Sequence, residues 1–148
     1  MTTTTEQTVT APTGRVAKPV TLERARELLK QAVEARGEGF VYNLNPLDMC
    51  YYEPIDQSWF GFIRANDPRA ETGCVVGEAL ALAGEGRHRK FRGSVSSLAE
   101  VYGDMLERDA VTYLQRAQRE QDKGKTWGEA REAAELVAEE LIRPAVEG

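Results

Sequence analysis

Two long segments of the sequence place apolar residues three and four positions apart, the spacing of a helix with one buried face. The first covers about residues 22–36, where Thr21 can cap the first turn and Gly37 can end the helix. The second lies near the C-terminus, with one helix over about 106–122 and another that begins at the capping box Thr126-Trp127-Gly128-Glu129. These patterns predict an N-terminal helix and a C-terminal helical pair.

The region between residues 40 and 62 follows a different pattern. It holds seven of the eleven aromatic residues, and its large apolar groups alternate at Phe40, Tyr42 and Leu44, which is the period of a strand. Apolar runs at 49–52 and 59–63 are candidates for two more short strands. We therefore predict a small two- or three-stranded antiparallel meander that packs against helices, and an α+β fold class.

Residues 72–84 are nearly all apolar or small and predict a buried central helix, capped by Thr72 and ended by Gly84. Ser97-Leu98-Ala99-Glu100 fits a capping box and predicts a short helix that reaches about Tyr102. The helix over 106–122 would bury one face, which includes Gln118 or Gln121. The predicted core consists of Leu22, Leu29, Phe40, Tyr42, Val75, Leu80, Leu82, Leu114, Trp127, Val137 and Leu141.

Composition and charge limit the class of protein. The threonine-rich residues 1–18 predict a flexible arm, and residues 19–148 predict a single α+β domain. A formal net charge of −5 disfavours general binding to nucleic acid or to an anionic membrane. No apolar run approaches the roughly 20 residues of a membrane-spanning helix, and no secretory signal is recognisable. We expect a cytoplasmic protein with reduced cysteines and no membrane partner.

Cys74 is the candidate nucleophile of the chain. In a helix that starts at Thr72 it would lie in the first turn, where unpaired amides and the helix dipole favour a thiolate. The sole histidine, His88, could act as the base, because neighbouring cations would keep its ring neutral. The alternative is that Cys74 only fills the buried helix. Since G-x-S-x-G, H-E-x-x-H and glycine-rich phosphate loops are absent, a non-enzymatic protein is favoured over a thiol-dependent hydrolase or transferase.

The loop of residues 84–93 is locally basic. It contains Arg87, Arg89, Lys90 and Arg92 with Phe91 between them, which makes it a candidate contact for phosphate or RNA. The alternative is that these cations pair with acidic residues of the same chain. The soft metal ligands Cys50, Cys74 and His88 lack the spacing of a metal site, so we expect neither a metal nor a cofactor.

Tyr51, Tyr52, Trp59 and Phe60 are candidates for a partner surface. Neighbouring residues of a strand point to opposite faces, so one residue of each pair would face away from the core. Tyrosine and tryptophan contribute strongly to protein interfaces, whereas burial between helices is the alternative. Together with the missing catalytic motifs, this pattern predicts a non-enzymatic accessory protein that binds another macromolecule, with a protein favoured as the partner.

Two segments carry a resemblance. Gly73-Cys74-Val75-Val76-Gly77-Glu78-Ala79-Leu80 follows the pattern G-C-hydrophobic-V-G-x-x-L, and residues 117–130 follow A-Q-x-x-Q-D-x-G-x-x-W-x-x-A. The pair is similar to small uncharacterised proteins of actinobacteria and their phages. The resemblance implies a cytoplasmic protein of bacterial or phage origin, and it assigns no activity and no catalytic residue.

Overall fold

In the computed structural model, the described residues are 19–42, 51–54 and 72–143, and five helices account for most of them. In chain order these are α1 (Leu22–Arg36), α2 (Val75–Leu82), α3 (Val95–Val101), α4 (Arg108–Asp122) and α5 (Trp127–Ile142). α4 and α5 form an antiparallel hairpin, α1 packs against α2, α4 and α5, and α4 also contacts α2 and α3.

The predicted starts of α1 and α5 are confirmed, together with their caps. The Thr21 hydroxyl accepts the N–H of Arg24 at 3.1 Å, and α1 ends at Gly37, whose φ of 105° suits glycine. At the start of α5, Thr126 accepts the N–H of Glu129 at 3.0 Å, and the Glu129 carboxylate accepts the N–H of Thr126 at 2.9 Å. These starts could be predicted because each cap is built from neighbouring residues in the sequence.

The starts of α2 and α3 differ from the predictions. α2 begins at Val75 with Cys74 as its cap, not at Thr72, and α3 begins at Val95 with Ser94 as its cap, not at Ser97. Side chains of α4 satisfy the first amide of each helix: Gln121 Oε1 accepts the N–H of Val75 at 2.8 Å, and Gln118 Oε1 accepts that of Val95 at 3.1 Å. A side chain from a distant helix therefore supports each start. The local sequence offers two candidate caps at each place, Thr72 or Cys74 and Ser94 or Ser97, and does not show which of them this contact favours.

The predicted α+β class is wrong, because the described residues form no sheet. Their bridges are isolated: Val20 pairs with Leu106 and Val41 with Thr126. The alternating segment that begins at Phe40 instead runs along the start of α5, where the Phe40 carbonyl accepts the N–H of Trp127 at 2.8 Å. Tyr51 and Tyr52 are in no strand. The rest of the predicted meander, like the arm of residues 1–18, lies outside the described residues.

One member of the predicted core is misplaced. Leu82 is 49% exposed, whereas Leu80 is fully buried, because residues two positions apart lie about 200° apart around a helix. Phe40, Val137 and Leu141 are half-buried. The remaining predicted core residues are buried as expected: Leu22, Leu29, Tyr42, Val75, Leu80, Leu114 and Trp127.

Candidate functional site

Cys74 is fully buried at the start of α2. Its Sγ accepts the N–H of Gly77 at 3.4 Å, and its own N–H donates to the Tyr51 carbonyl at 2.7 Å. The thiol thus takes the place that a serine or aspartate oxygen takes at many helix starts. Burial of Cys74 is the packing role that the sequence left as an alternative to catalysis, whereas its capping role, predicted for Thr72, was not expected.

His88 is also fully buried, and it contacts the carbonyl group of Gly77, the residue whose N–H bonds to Cys74. Its Nε2–H donates to the Gly77 carbonyl at 2.9 Å, while the ring lies edge-on to Tyr52 with centroids 5.9 Å apart. In a helix the N–H and the C=O of one residue point in opposite directions along the axis, so Cys74 and His88 approach Gly77 from opposite directions. No hydrogen bond joins thiol and imidazole among the described contacts, and the pairing needed for a thiol nucleophile and its base is not formed.

Burial of His88 should make the free energy of unfolding depend on pH. Desolvation lowers the pKa of His88, so below about pH 6.5 the unfolded chain binds a proton that the folded chain excludes. We expect the contribution of His88 to lower the free energy of unfolding by at most about 1.4 kcal/mol as the pH drops from about 7.5 to 5.5. Urea unfolding of the wild type and of His88→Gln at both pH values measures this.

The difference between the two proteins isolates the histidine. Burial raises the pKa of Asp122 to about 6, and its protonation on acidification acts in the opposite direction, but equally in both proteins. A wild type that loses no more stability than His88→Gln between the two pH values would contradict the expected effect.

The basic loop is largely neutralised within the chain. Arg87 forms a two-bonded pair with the buried carboxylate of Glu85, at 3.0 and 2.8 Å, and a further bond with Asp104 at 3.0 Å. These hydrogen bonds raise the pKa of Arg87. Arg89 lies 3.6 Å from the Glu78 carboxylate. An anion would have to compete with these carboxylates for both arginines.

The other two cations of the loop are closer to solvent. Lys90 is 87% exposed and lies 3.2 Å from the Glu53 carboxylate. The Arg92 guanidinium stacks over the Tyr51 ring, 4.6 Å from its centroid, and donates to the carbonyls of Lys90 and Phe91. Among the described contacts, Arg92 alone of the four cations has no carboxylate partner. A single such cation does not form a phosphate-binding cluster.

The aromatic candidates divide between buried and half-buried positions. Tyr52 is fully buried, where its hydroxyl donates to the Gly93 carbonyl at 3.0 Å and accepts from Gln118 Nε2 at 2.8 Å. Tyr51 is half-buried beneath Arg92. Trp59 and Phe60 lie outside the described residues. In this structure Tyr52 therefore presents no surface to a partner.

Close backbone contact explains the glycines of the first resembling segment. A Cβ on Gly77 would lie 2.3 Å from the Tyr52 carbonyl oxygen, and one on Gly73 would lie 2.5 Å from the same atom. Any larger residue would push α2 away from the segment of Tyr52. The pattern G-C-V-V-G thus describes the contact between two pieces of backbone rather than a phosphate loop.

The second resembling segment forms a buried polar network. Gln121 Oε1 accepts both the N–H of Val75 and, at 3.1 Å, the indole N–H of Trp127. One turn earlier in α4, Gln118 Oε1 accepts the N–H of Val95 at the start of α3. One turn before that, Gln115 Oε1 accepts the N–H of Ser96 at 2.9 Å. Both Gln118 and Gln121 are buried, although the sequence indicated only one of them. The three-residue spacing of the glutamines on one helix is the signal that points to such a row.

Three cavities among the described residues have volumes of about 270, 240 and 220 Å³. Pockets that enclose a whole small-molecule ligand usually measure about 300–1,000 Å³. Neither Cys74 nor His88 lines any of the three. The largest lies between α1 and α5 and is lined by charged residues, of which Arg26 and Glu135 pair at 2.7 Å. The second lies along α4 and is also lined by Ser96 of α3 and Val137 of α5.

The smallest of these cavities, which we call the α1–α2 cavity, combines apolar walls with an exposed leucine. Leu82, which is 49% exposed, and the fully buried Trp127 both line it. Its other lining residues are Ala32, Ala35, Arg36, Thr72 and Glu78. Sequence reasoning missed this site because it placed Leu82 in the core. The spacing of Leu80 and Leu82 could have indicated the site. Residues two positions apart lie about 200° apart around a helix, so the two leucines cannot both face the same core.

The part of the chain that the structure describes offers no obvious metal centre, since no three of its His, Cys, Asp or Glu side chains are grouped to hold an ion. Within the same residues, none of the helices combines the length and the apolar character needed to cross a bilayer.

The resemblance noted in the sequence stays a prediction. No protein-family model matches the chain, no curated protein is significantly similar to it, and no solved structure matches it.

Proposed function

We propose that this protein is a non-enzymatic accessory protein that acts by binding another protein, and that the partner inserts one apolar side chain into the α1–α2 cavity. The observation that carries the proposal is Leu82, a leucine that is 49% exposed and lines a cavity of about 220 Å³. Exposed apolar surface beside a pocket is typical of interaction sites.

The size and lining of the cavity support a side chain as its occupant. It is smaller than a typical small-molecule pocket, yet large enough for a leucine, methionine or phenylalanine side chain. Alanines of α1 and the Trp127 ring would surround the apolar group. Arg36 and Glu78 also line the cavity, so the apolar lining has charged residues beside it, as the polar rim of a protein interface does.

The two other functions considered from the sequence have less support. Cys74 and His88 are sealed in the interior, and three of the four loop cations face carboxylates of the same chain. We also propose a cytoplasmic location: Cys74 is an unpaired buried thiol, as is common for proteins of reducing compartments.

The first experiment tests the cavity with a defined probe. N-acetylleucine methylamide is titrated into isotope-labelled protein, and amide shifts are recorded by NMR. We expect shifts at Ala32, Ala35 and Thr72, and their loss in Leu82→Asp. Val101→Asp, which changes another exposed apolar residue (60% exposed) away from the cavity, should keep them. Shifts at other sites only, or none, would count against the cavity as an apolar-binding site.

The second experiment tests the protein partner. Immobilised wild type, Leu82→Asp and Val101→Asp are exposed to the same bacterial lysate. The proposal requires a protein that the wild type and Val101→Asp retain and that Leu82→Asp loses at least tenfold, as is usual for a central interface residue. If all three retain the same proteins, the proposal is wrong. Rapid alkylation of Cys74 in the folded protein at about pH 6 would instead favour the thiol enzyme.

A further inference from the structure

We infer that two copies of this chain associate through the outer faces of α4 and α5, with α4 of each copy lying on α5 of the other. The inference is independent of the α1–α2 cavity, which lies on a different part of the molecule. It rests on the charges of the two faces, their register, and a leucine that the fold leaves exposed.

The outer faces of the hairpin carry opposite charges. α4 presents Arg108, Arg116 and Arg119, with Lys123 directly after its last residue, and α5 presents Glu129, Glu132, Glu139 and Glu140. Among the described contacts, Arg108, Arg119 and Glu132 take part in no ion pair. Arg116 and Lys123 pair only with Glu120 of α4, and Glu140 pairs with Arg143, directly after α5. A basic helix face thus lies beside an acidic one, and the contacts within one copy leave much of this charge uncompensated.

The register of the hairpin aligns these charges. The Tyr113 hydroxyl donates to Glu135 at 2.6 Å, and the Trp127 indole donates to Gln121 at 3.1 Å, which fixes the level of α4 against α5 at two points. Because the helices are antiparallel, each step back along α4 corresponds to one step forward along α5. Four pairs of residues therefore lie at the same height along the hairpin: Arg108 and Glu140, Thr112 and Leu136, Arg116 and Glu132, and Arg119 and Glu129.

A two-fold axis parallel to the helices preserves these levels. It places α5 of the second copy over α4 of the first, so that each residue keeps its height while the helices exchange. Arg116 then faces Glu132 of the second copy, and Arg119 faces Glu129 of the second copy. The same operation repeats both pairs on the other side of the axis, which makes the face self-complementary.

Leu136 gives this interface an apolar centre. It is 65% exposed in the middle of an otherwise charged face. In the two-fold arrangement Leu136 of the second copy lies over Thr112, at the cavity of about 240 Å³ whose lining comes mainly from α4. Val111 and Val137 give this cavity its apolar lining, and its polar lining is Ser96 of α3 with Thr112, Gln115, Arg116 and Arg119. An exposed leucine and a partly apolar cavity thus meet at the same level.

The area of the two faces sets the strength of the association. Two helices about 24 Å long and about 10 Å apart cover about 480 Å² on each copy, or about 1,000 Å² in total. This is the lower limit for a specific interface. We therefore expect a reversible dimer with a dissociation constant in the micromolar range, weakened by salt because its pairs are charged.

Charge reversal tests the pairing. In sedimentation velocity at low ionic strength, the wild type should form dimers at about 100 µM and dissociate on dilution. Arg116→Glu and Glu132→Arg should each weaken self-association at least tenfold, because like charges then face each other. An equimolar mixture of the two variants should dimerise again, since positions 116 and 132 then carry opposite charges across both halves of the mixed dimer. Misfolding of either variant could not produce that recovery.

Two further variants separate this surface from the α1–α2 cavity. Leu136→Asp should weaken the dimer at least tenfold, and Leu82→Asp, the matched change of another exposed leucine, should leave it intact. A wild type that stays monomeric at about 300 µM in low salt would overturn the inference, as would a mixture of the two charge variants that stays monomeric. Either result leaves the proposed partner binding at Leu82 unaffected.

Discussion

Replacing Gln121 with leucine is expected to lower the free energy of unfolding by about 2–6 kcal/mol. Gln121 is fully buried, and its Oε1 is the acceptor for the Val75 amide and the Trp127 indole. Leucine matches the glutamine in size but accepts no hydrogen bond, so two donors would remain unpaired in the interior. Each unpaired buried donor costs about 1–3 kcal/mol. Denaturant unfolding monitored by circular dichroism measures the loss.

Gln115 provides the matched control on the same helix. Its amide oxygen also accepts a backbone N–H at the start of a helix, but the bond to Ser96 is exposed, so water can replace the lost acceptor. Gln115→Leu should therefore cost less than about 1 kcal/mol. A loss in Gln121→Leu no larger than that in Gln115→Leu would show that the buried network does not stabilise the fold.

A double-mutant cycle isolates the indole bond. Trp127→Phe removes the second donor while it keeps an aromatic ring in the same place. In that background only the Val75 amide loses its acceptor, so Gln121→Leu should cost about 1–3 kcal/mol less than in the wild type. An equal cost in both backgrounds would mean that the hydrogen bond from Trp127 contributes nothing measurable.

The helix starts that could be predicted are those where the local sequence offers one strong cap. Thr126 with Glu129 marks the start of α5, although the Phe40 carbonyl also accepts its first amide, and Thr21 marks the start of α1. At α2 and α3 the local sequence offers two caps each, Thr72 or Cys74 and Ser94 or Ser97. The observed start is the one whose first amide meets Gln121 or Gln118, 46 and 23 residues away in sequence. Propensity and periodicity carry no information about such distant contacts.

The error in fold class has a similar cause. Phe40 and Tyr42 do point to the interior, as the alternating pattern indicates. An extended segment with alternating burial needs only something to pack against, and here the first turn of α5 replaces the neighbouring strand. The pattern establishes an extended backbone at these positions, whereas a sheet also requires a partner that the pattern does not identify.

For the candidate site, the sequence supplied the residues but not their arrangement. It identified Cys74, His88 and the loop cations as candidates. For Cys74 the alternative was a packing role, and for the cations it was pairing with acidic residues of the same chain. In the structure Cys74 is buried, and three of the four cations face carboxylates. The carboxylates opposite Arg89 and Lys90 are Glu78 and Glu53, which only the folded chain brings to the loop. The α1–α2 cavity was missed because it depends on which of two nearby leucines the fold leaves outside.

Replacing Trp127 with alanine is expected to lower the free energy of unfolding by about 3–5 kcal/mol, the usual cost of emptying a fully buried tryptophan site. Trp127 is the largest fully buried side chain among the described residues, and its ring packs edge-on against Phe40 with centroids 4.8 Å apart. The substitution also removes the indole donor to Gln121. Thermal and denaturant unfolding both measure the effect.

Trp127→Phe serves as the control, and it distinguishes the lost volume from the lost hydrogen bond. Phenylalanine should retain the contact with Phe40, and Gln121 Oε1 keeps its bond to the Val75 amide, so the cost should be about 1–2 kcal/mol. If Trp127→Ala unfolds no more easily than Trp127→Phe, the ring is not packed as described.

Trp127 also lines the α1–α2 cavity, so Trp127→Ala would enlarge that cavity. An apolar probe that binds there should therefore bind differently to this variant. Stability and probe binding thus depend on one side chain, and measuring both in the same variants connects the core of the fold to the proposed site.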